Sequence, residues 1–119
     1  MEAKQLMEKI VTILDGKKAE DIRAIRIGDL TILADYFVIA AGSSSTQVKM
    51  LADEVDYQLG LSGIEPHKIE GYHSENWIVL DYSDVVVHIF QKETRSFYDL
   101  ERLWADGEQT DISHLLKQD

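Results

Sequence analysis

Apolar residues recur every three or four positions in three parts of the chain, the spacing that predicts amphipathic helices. The first helix is predicted over residues 2–15 and stops at Gly16, since glycine is favoured at helix C-termini. The second begins after Ser44, whose spacing to Gln47 has the form of a capping box, and it ends near Gly60. The apolar stripes of the three helices are Leu6, Ile10, Ile13 and Leu14; Val48, Leu51, Ala52, Val55 and Leu59; and, from about Thr94, Phe97, Leu100, Leu103 and Trp104.

Between these segments the pattern is typical of strands. Residues 21–27 alternate between apolar and polar side chains, and residues 36–42 form a continuous apolar run that ends in glycine. Residues 66–72, PHKIEGY, contain a short strand, and two further runs occupy residues 77–80 and 85–90. The order α-β-β-α-β-β-β-α predicts an α/β fold, a single domain in which about three helices pack on a mixed five-stranded sheet.

The last two runs, WIVL and VVVHIF, predict a β-hairpin. If Tyr82 and Ser83 form a two-residue loop, Asp81 faces Asp84 at the tip, and the pairs behind them are Val79 with Val86 and Trp77 with His88. Alternation then assigns an aliphatic set to the core side: Ile78, Leu80, Val85, Val87 and Ile89. The opposite face carries Trp77, Val79, Val86, His88 and Phe90, and is either an exposed aromatic patch or covered by a helix.

Composition narrows the classes of function. The chain has 119 residues, no cysteine and a formal net charge of −10. The absence of cysteine excludes disulfides and cysteine-ligated zinc and fits a cytoplasmic protein. The sequence shows neither a signal peptide nor the run of about 20 apolar residues that a membrane span needs. Because phosphate backbones repel such an acidic chain, we expect no binding to bare nucleic acid. The charge fits either simple solubility or a basic protein partner.

One segment has features of an enzyme. The turn at residues 42–46, GSSST, resembles the start of a nucleotidyltransferase fold, where such a turn meets nucleotide phosphates. That chemistry needs two metal-binding carboxylates one residue apart on the next strand, but HKIEGY supplies only Glu70. Capping of the following helix is the favoured explanation of the serines. The four histidines share no metal-ligand spacing, so we expect no metal and no cofactor. A nucleotide-binding or nucleotidyltransferase enzyme using residues 42–46 stays as the alternative, and a scaffold for another basic protein is a third reading.

Three segments, DLTILADYFVIAAGSSSTQV, KIEGYHSENWIVLDYSDVVVHIF and TRSFYDLERLW, resemble the ribosomal silencing factor family, also called Iojap-related. The resemblance extends from the first helix to Trp104, which places a ribosomal silencing factor domain at residues 1–105 and a polar C-terminal tail at 106–119. In that tail the spacing of Ile112, Leu115 and Leu116 predicts a short helix. The family fold is nucleotidyltransferase-like but lacks the catalytic carboxylates.

The resemblance also implies a function that is not enzymatic. Family members bind the large ribosomal subunit at its fourteenth protein, block joining with the small subunit and so repress translation when nutrients are short. They are also linked to assembly of the large subunit, and they commonly form homodimers. The expected docking surface comprises Trp77, Asp81, Tyr82 and Asp84, with Glu70, Tyr72 and His88 as neighbours. Ser83 departs from the family, which has glycine there, in a turn that needs a positive φ.

Overall fold

The computed structural model describes residues 2–28, 34–73, 76–93 and 107–117. The elements, in order, are α1 (Ala3–Gly16), β1 (Glu20–Arg26), β2 (Tyr36–Gly42), α2 (Ser45–Leu61), β3 (Lys68–Glu70), β4 (Trp77–Asp81), β5 (Val85–Gln91), β6 (Glu108–Gln109) and a 3₁₀ helix at Ser113–Leu115. Within those residues, no helix has the length and apolar character needed to span a membrane.

The described strands form one mixed sheet in the order β3-β4-β5-β2-β1-β6. Of its described pairings, β2 with β5 is parallel and the others are antiparallel. The predicted α/β class and mixed sheet are therefore confirmed, but the predicted strand count of five is wrong. The sixth strand, β6, comes from the polar tail, where a two-residue strand is too short to leave a period-two signal. The helix predicted from Thr94 lies outside the described residues.

Both α-helices begin where side chains satisfy their first backbone N–H groups. At α2 the Ser44 hydroxyl accepts a hydrogen bond from the Gln47 N–H at 3.1 Å, as a capping residue should. The return bond differs from the predicted capping box, because the Gln47 side-chain oxygen accepts from the N–H and hydroxyl of Ser43 instead of from Ser44. Ser43 and Ser44 thus both bond to Gln47 in the first turn of α2.

The core has one cluster on each face of the sheet. The first lies between the sheet and the two helices, and joins residues of α1 and α2 to Val38, Leu80 and Ile89 among others. The second, on the opposite face, contains Ile25, Ile27, Ala34, Ile39 and Phe90. A sheet with both faces buried explains the continuous apolar run in β2.

The C-terminal tail folds onto the domain. The Thr110 N–H donates to the Ala24 carbonyl at 2.9 Å and extends the pairing of β6 with β1. The predicted short helix is present as the 3₁₀ helix, and the Ile112 side chain just before it is 7% exposed and belongs to the first core cluster. Residues 107–117 therefore add a strand and a core contact to the sheet.

Candidate docking surface

The hairpin of β4 and β5 has a different register from the predicted one. Asp81 pairs with Val86, Val79 with His88 and Trp77 with Phe90. The predicted pairs of Asp81 with Asp84, Val79 with Val86, and Trp77 with His88 are wrong by two positions. A two-residue shift returns every side chain to the same face, so the apolar alternation used for the prediction could not detect it.

The loop geometry explains this register. The Tyr82 N–H donates to the Val85 carbonyl at 3.0 Å, which leaves Ser83 and Asp84 as the two loop residues. Ser83 has φ of 70°, and the first residue of such a loop is a position where glycine is favoured in a type II′ turn. The predicted positive φ at Ser83 is confirmed. An Asp81 carboxylate oxygen accepts from the Ser83 N–H at 2.8 Å, so Asp81 shapes the tip as well as charging it.

The predicted core face of the hairpin is confirmed. Ile78, Leu80, Val85, Val87 and Ile89 are each fully buried in the first cluster. The opposite face is also largely buried, because Phe90 is 1% and His88 6% exposed. Of the two alternatives, an exposed aromatic patch is therefore wrong for these two residues. Trp77 and Val86 remain half-buried at the margin of the second cluster.

Four rings pack together on this face. His88 lies 4.7 Å from Phe37 and 5.9 Å from Trp77 between ring centroids, and Trp77 stacks on Phe90 at 5.1 Å. The Trp77 indole N–H donates to Nδ1 of His88 at 3.2 Å. This bond fixes the orientation of the indole at the edge of the hairpin, where part of its surface is open to a partner.

His88 is held in its neutral form by this environment. Nδ1 accepts from Trp77, and Nε2 is buried without a hydrogen-bond partner in the described part of the structure. Burial lowers the pKa of His88 to about 4, since a charged imidazolium would lose its hydration here. At neutral pH His88 therefore supports Trp77 and contributes no charge to the surface.

Glu70 and Asp81 lie on the same face of the sheet as Trp77, nearer the hairpin tip. Glu70 pairs with Val79, and Lys68 pairs with Asp81, so their side chains project with the Trp77 face. Glu70 binds Lys68 at 2.6 Å between charged atoms, and both are exposed. The hydrogen bond and charge of Glu70 raise the pKa of Lys68. Asp84 is exposed at the tip, and its carbonyl accepts from the N–H groups of Asp35 and Tyr36.

Tyr72 and Tyr82 lie apart from this face. The Tyr82 ring is 7% exposed and packs in the first core cluster, and burial together with Asp56 and Glu65 raises the pKa of its hydroxyl. Tyr72 reaches α2, where its hydroxyl donates to Asp53 at 2.8 Å. The structure therefore places Trp77, Glu70 and Asp81 on one face of the sheet, but Trp77 begins β4 and Asp81 ends it. Asp84 lies at the tip and His88 packs against Trp77, whereas the two tyrosines lie away from this face.

Exposed apolar residues on α2 and β3 were missed by the sequence reasoning. Met50, Tyr57, Leu61 and Ile69 are each 37% exposed or more. The first three lie at positions i, i+7 and i+11 of α2, outside the apolar stripe that packs on the sheet. A search for large apolar residues off the buried stripe would have found them.

The turn of residues 42–46 uses part of its hydrogen-bonding capacity within itself. Its donors at Ser43 bind the Gln47 side chain, and a Cβ added at Gly42 would lie 3.1 Å from the Val48 nitrogen. The glycine is required because the strand end packs directly against the helix. Among the described residues, no group of three histidine, aspartate or glutamate side chains is placed to hold a metal ion.

Taken together, the geometry defines a small α/β domain whose hairpin carries a half-buried tryptophan at the start of β4 and carboxylates at its tip. The family model described as "Ribosomal silencing factor during starvation" matches residues 1–119. The chain belongs to the ribosomal silencing factor family, which confirms the resemblance seen in its motifs.

Individual relatives agree with this assignment. The chain is 38% identical to the ribosomal silencing factor RsfS of Bacillus subtilis, over 99% of this chain and 100% of the relative. It is 31% identical to the mouse protein named "Mitochondrial assembly of ribosomal large subunit protein 1", over 87% of this chain and 46% of that protein. A crystal structure of a protein from Chromobacterium violaceum superposes with a TM-score of 0.85 at 33% identity, covering 93% of this chain and 91% of the other.

Proposed function

We propose that this protein is a cytoplasmic ribosome silencing factor that acts by binding and has no catalytic step. It binds the large ribosomal subunit at the fourteenth large-subunit protein, blocks joining with the small subunit, and represses translation when nutrients are limiting. Membership of the ribosomal silencing factor family supports this proposal most strongly. The name of the mouse relative supports an additional part in assembly of the large subunit.

The surface chemistry fits a protein partner better than ribosomal RNA. A chain with a net charge of −10 is repelled by phosphates, whereas basic ribosomal proteins attract it. The half-buried Trp77 supplies an aromatic anchor of the type that dominates binding energy at interfaces. Glu70 on β3, together with Asp81 and Asp84 at the tip end of the hairpin, supplies carboxylates that orient a basic partner.

The remaining residues of the proposed surface act less directly. His88 fixes the indole of Trp77 through their hydrogen bond, and the buried Tyr82 supports the tip by its backbone bond to Val85. Tyr72 follows Glu70 in the chain, but its side chain bonds Asp53 on the helix side of the sheet. When free of the ribosome the protein forms a homodimer, as the family resemblance implies.

Two variants at Asp81 test the docking face, because they distinguish the effect of its charge from the effect of its hydrogen bond. Asp81→Asn removes the charge but keeps an oxygen that can accept from the Ser83 N–H, whereas Asp81→Ala removes both. Combined with Glu70→Gln, Asp81→Asn should weaken binding to purified large subunits about tenfold in co-sedimentation. Glu108→Gln on β6, at the opposite edge of the sheet, is the matched control and should bind normally. Undiminished binding by the double variant, with its fold intact, would exclude this face.

A further inference from the structure

A groove lies between α2 and strands β3 and β4, on the helix side of the sheet. It has a volume of about 380 Å³. Its lining residues are Ala52, Asp53, Asp56, Ile69, Tyr72 and Leu80. The groove is separate from the Trp77 face, since Ile69 pairs with Leu80 and both point toward α2.

The walls of the groove are apolar and its charges are negative. Ala52 and Leu80 form a buried floor, and the ring of Tyr72 and the partly exposed side chain of Ile69 form one side. Two carboxylates, Asp53 and Asp56, come from α2. No basic side chain lines the groove within the described residues.

The two carboxylates differ in their binding partners. Asp53 accepts a hydrogen bond from the Tyr72 hydroxyl, which holds that ring across the groove. Asp56 is half-buried and forms no ion pair with any described residue, although the buried hydroxyl of Tyr82 lies within its electrostatic reach. A carboxylate without an ion-pair partner, set among apolar walls, attracts a cation that enters from outside.

An apolar ridge borders the groove on α2. Met50 and Tyr57 are 37% and 63% exposed. They lie three residues before and four residues after Asp53, which places all three on one side of the helix. Exposed apolar residues beside a charged groove are typical of a protein interface.

We propose that this groove receives an arginine or lysine side chain from a basic segment of a partner protein. The aliphatic part of that side chain packs on Ile69 and Tyr72, and its charged end binds Asp56. An apolar neighbour in the same segment packs on Tyr57. Charge complementarity selects this occupant, because the groove carries two carboxylates and, among the described residues, no basic side chain.

This second surface goes beyond the proposed function and does not depend on the Trp77 face. A capped pentapeptide, Gly-Leu-Arg-Leu-Gly, is a suitable probe for the intact chain in amide chemical-shift titrations. We expect shifts that saturate at Asp53, Asp56, Ile69 and Tyr72. A peptide with citrulline in place of arginine keeps the shape but loses the charge, and should bind about tenfold more weakly.

Variants localise the interaction and control for folding. Asp56→Asn should weaken binding of the arginine peptide about tenfold, and Tyr57→Ser should weaken it about threefold. Glu108→Gln should leave it unchanged, as should the Asp81→Asn variant of the docking face. The proposal is overturned if the peptide produces no saturable shifts, if the shifts map elsewhere, or if Asp56→Asn has no effect. Equal binding of spermidine, with no preference for the peptide, would also contradict it.

Discussion

Stability of the fold should decrease on mild acidification because of one buried side chain, His88. The unfolded chain takes up a proton on this histidine below its ordinary pKa of 6.5, but the folded protein does so only below about 4. Between those two values the unfolded state binds more protons, so the free energy of unfolding falls as the pH is lowered. Stability is lost on acidification, and not gained, because the pKa of His88 is lower in the folded state than in the unfolded state.

The size of the effect follows from the two pKa values. The whole difference is worth roughly 3 kcal/mol, and about 2 kcal/mol of it is lost between pH 7 and pH 5. His88 is 6% exposed, so solvent screening does not reduce this figure much. For a domain of this size such a loss is a large fraction of the total stability.

Urea unfolding followed by tryptophan fluorescence at pH 7 and pH 5 measures this loss. His88→Asn removes the titration but can keep an oxygen to accept the Trp77 N–H, so this variant should be less stable at pH 7 with a much flatter pH dependence. His67→Asn, at an exposed position, is the matched control and should retain the slope of the parent protein. Equal slopes for the parent and His88→Asn would refute the argument.

Three further predictions concern backbone strain and the tail. Gly71 has φ of 71°, and a methyl group there would collide with the Trp77 carbonyl oxygen. Gly71→Ala should therefore lower the free energy of unfolding in urea by about 2 kcal/mol or more. A loss below about 0.5 kcal/mol would contradict the close approach of Gly71 to that oxygen. Ser83→Gly should raise the free energy of unfolding by about 0.5 kcal/mol, whereas Ser83→Val should lower it by more than 1 kcal/mol. Thermal unfolding measures both changes, and a valine variant more stable than the glycine variant would be inconsistent with a positive φ. Ile112→Ala should cost about 2 kcal/mol if the tail packs in the core, and Ser113→Ala is its exposed neighbour for comparison.

The layout of helices and long strands could be predicted from apolar spacing because each buries one face. This holds for α1, α2 and β2, whose observed bounds fall within a few residues of the predicted ones. The spacing carried no information on β6, since Glu108 and Gln109 are both exposed and the strand is held by backbone bonds to β1. Strand order likewise depends on contacts between distant segments, which no local pattern contains.

In the candidate site, too, local spacing predicts some features and contacts between distant segments determine the others. Alternation placed Trp77 and His88 on one face and Leu80 on the other, and the structure agrees. The register depended on the turn at Ser83, where a positive φ and the bond to Asp81 determine which residues form the loop. The motif alone could not separate the buried ring of Tyr82 from the exposed carboxylate of Asp84, because burial at a hairpin tip depends on the neighbouring helix.

Subunit joining is the most direct test of the central proposal. Purified small and large ribosomal subunits should be mixed in magnesium with increasing amounts of the protein, and the joined ribosomes measured by sedimentation. The proposed function predicts that the joined fraction falls to a low plateau as the factor saturates the large subunit, and that the Glu70→Gln, Asp81→Asn double variant requires about ten times more protein. Joined ribosomes that form undiminished at saturating factor would contradict it.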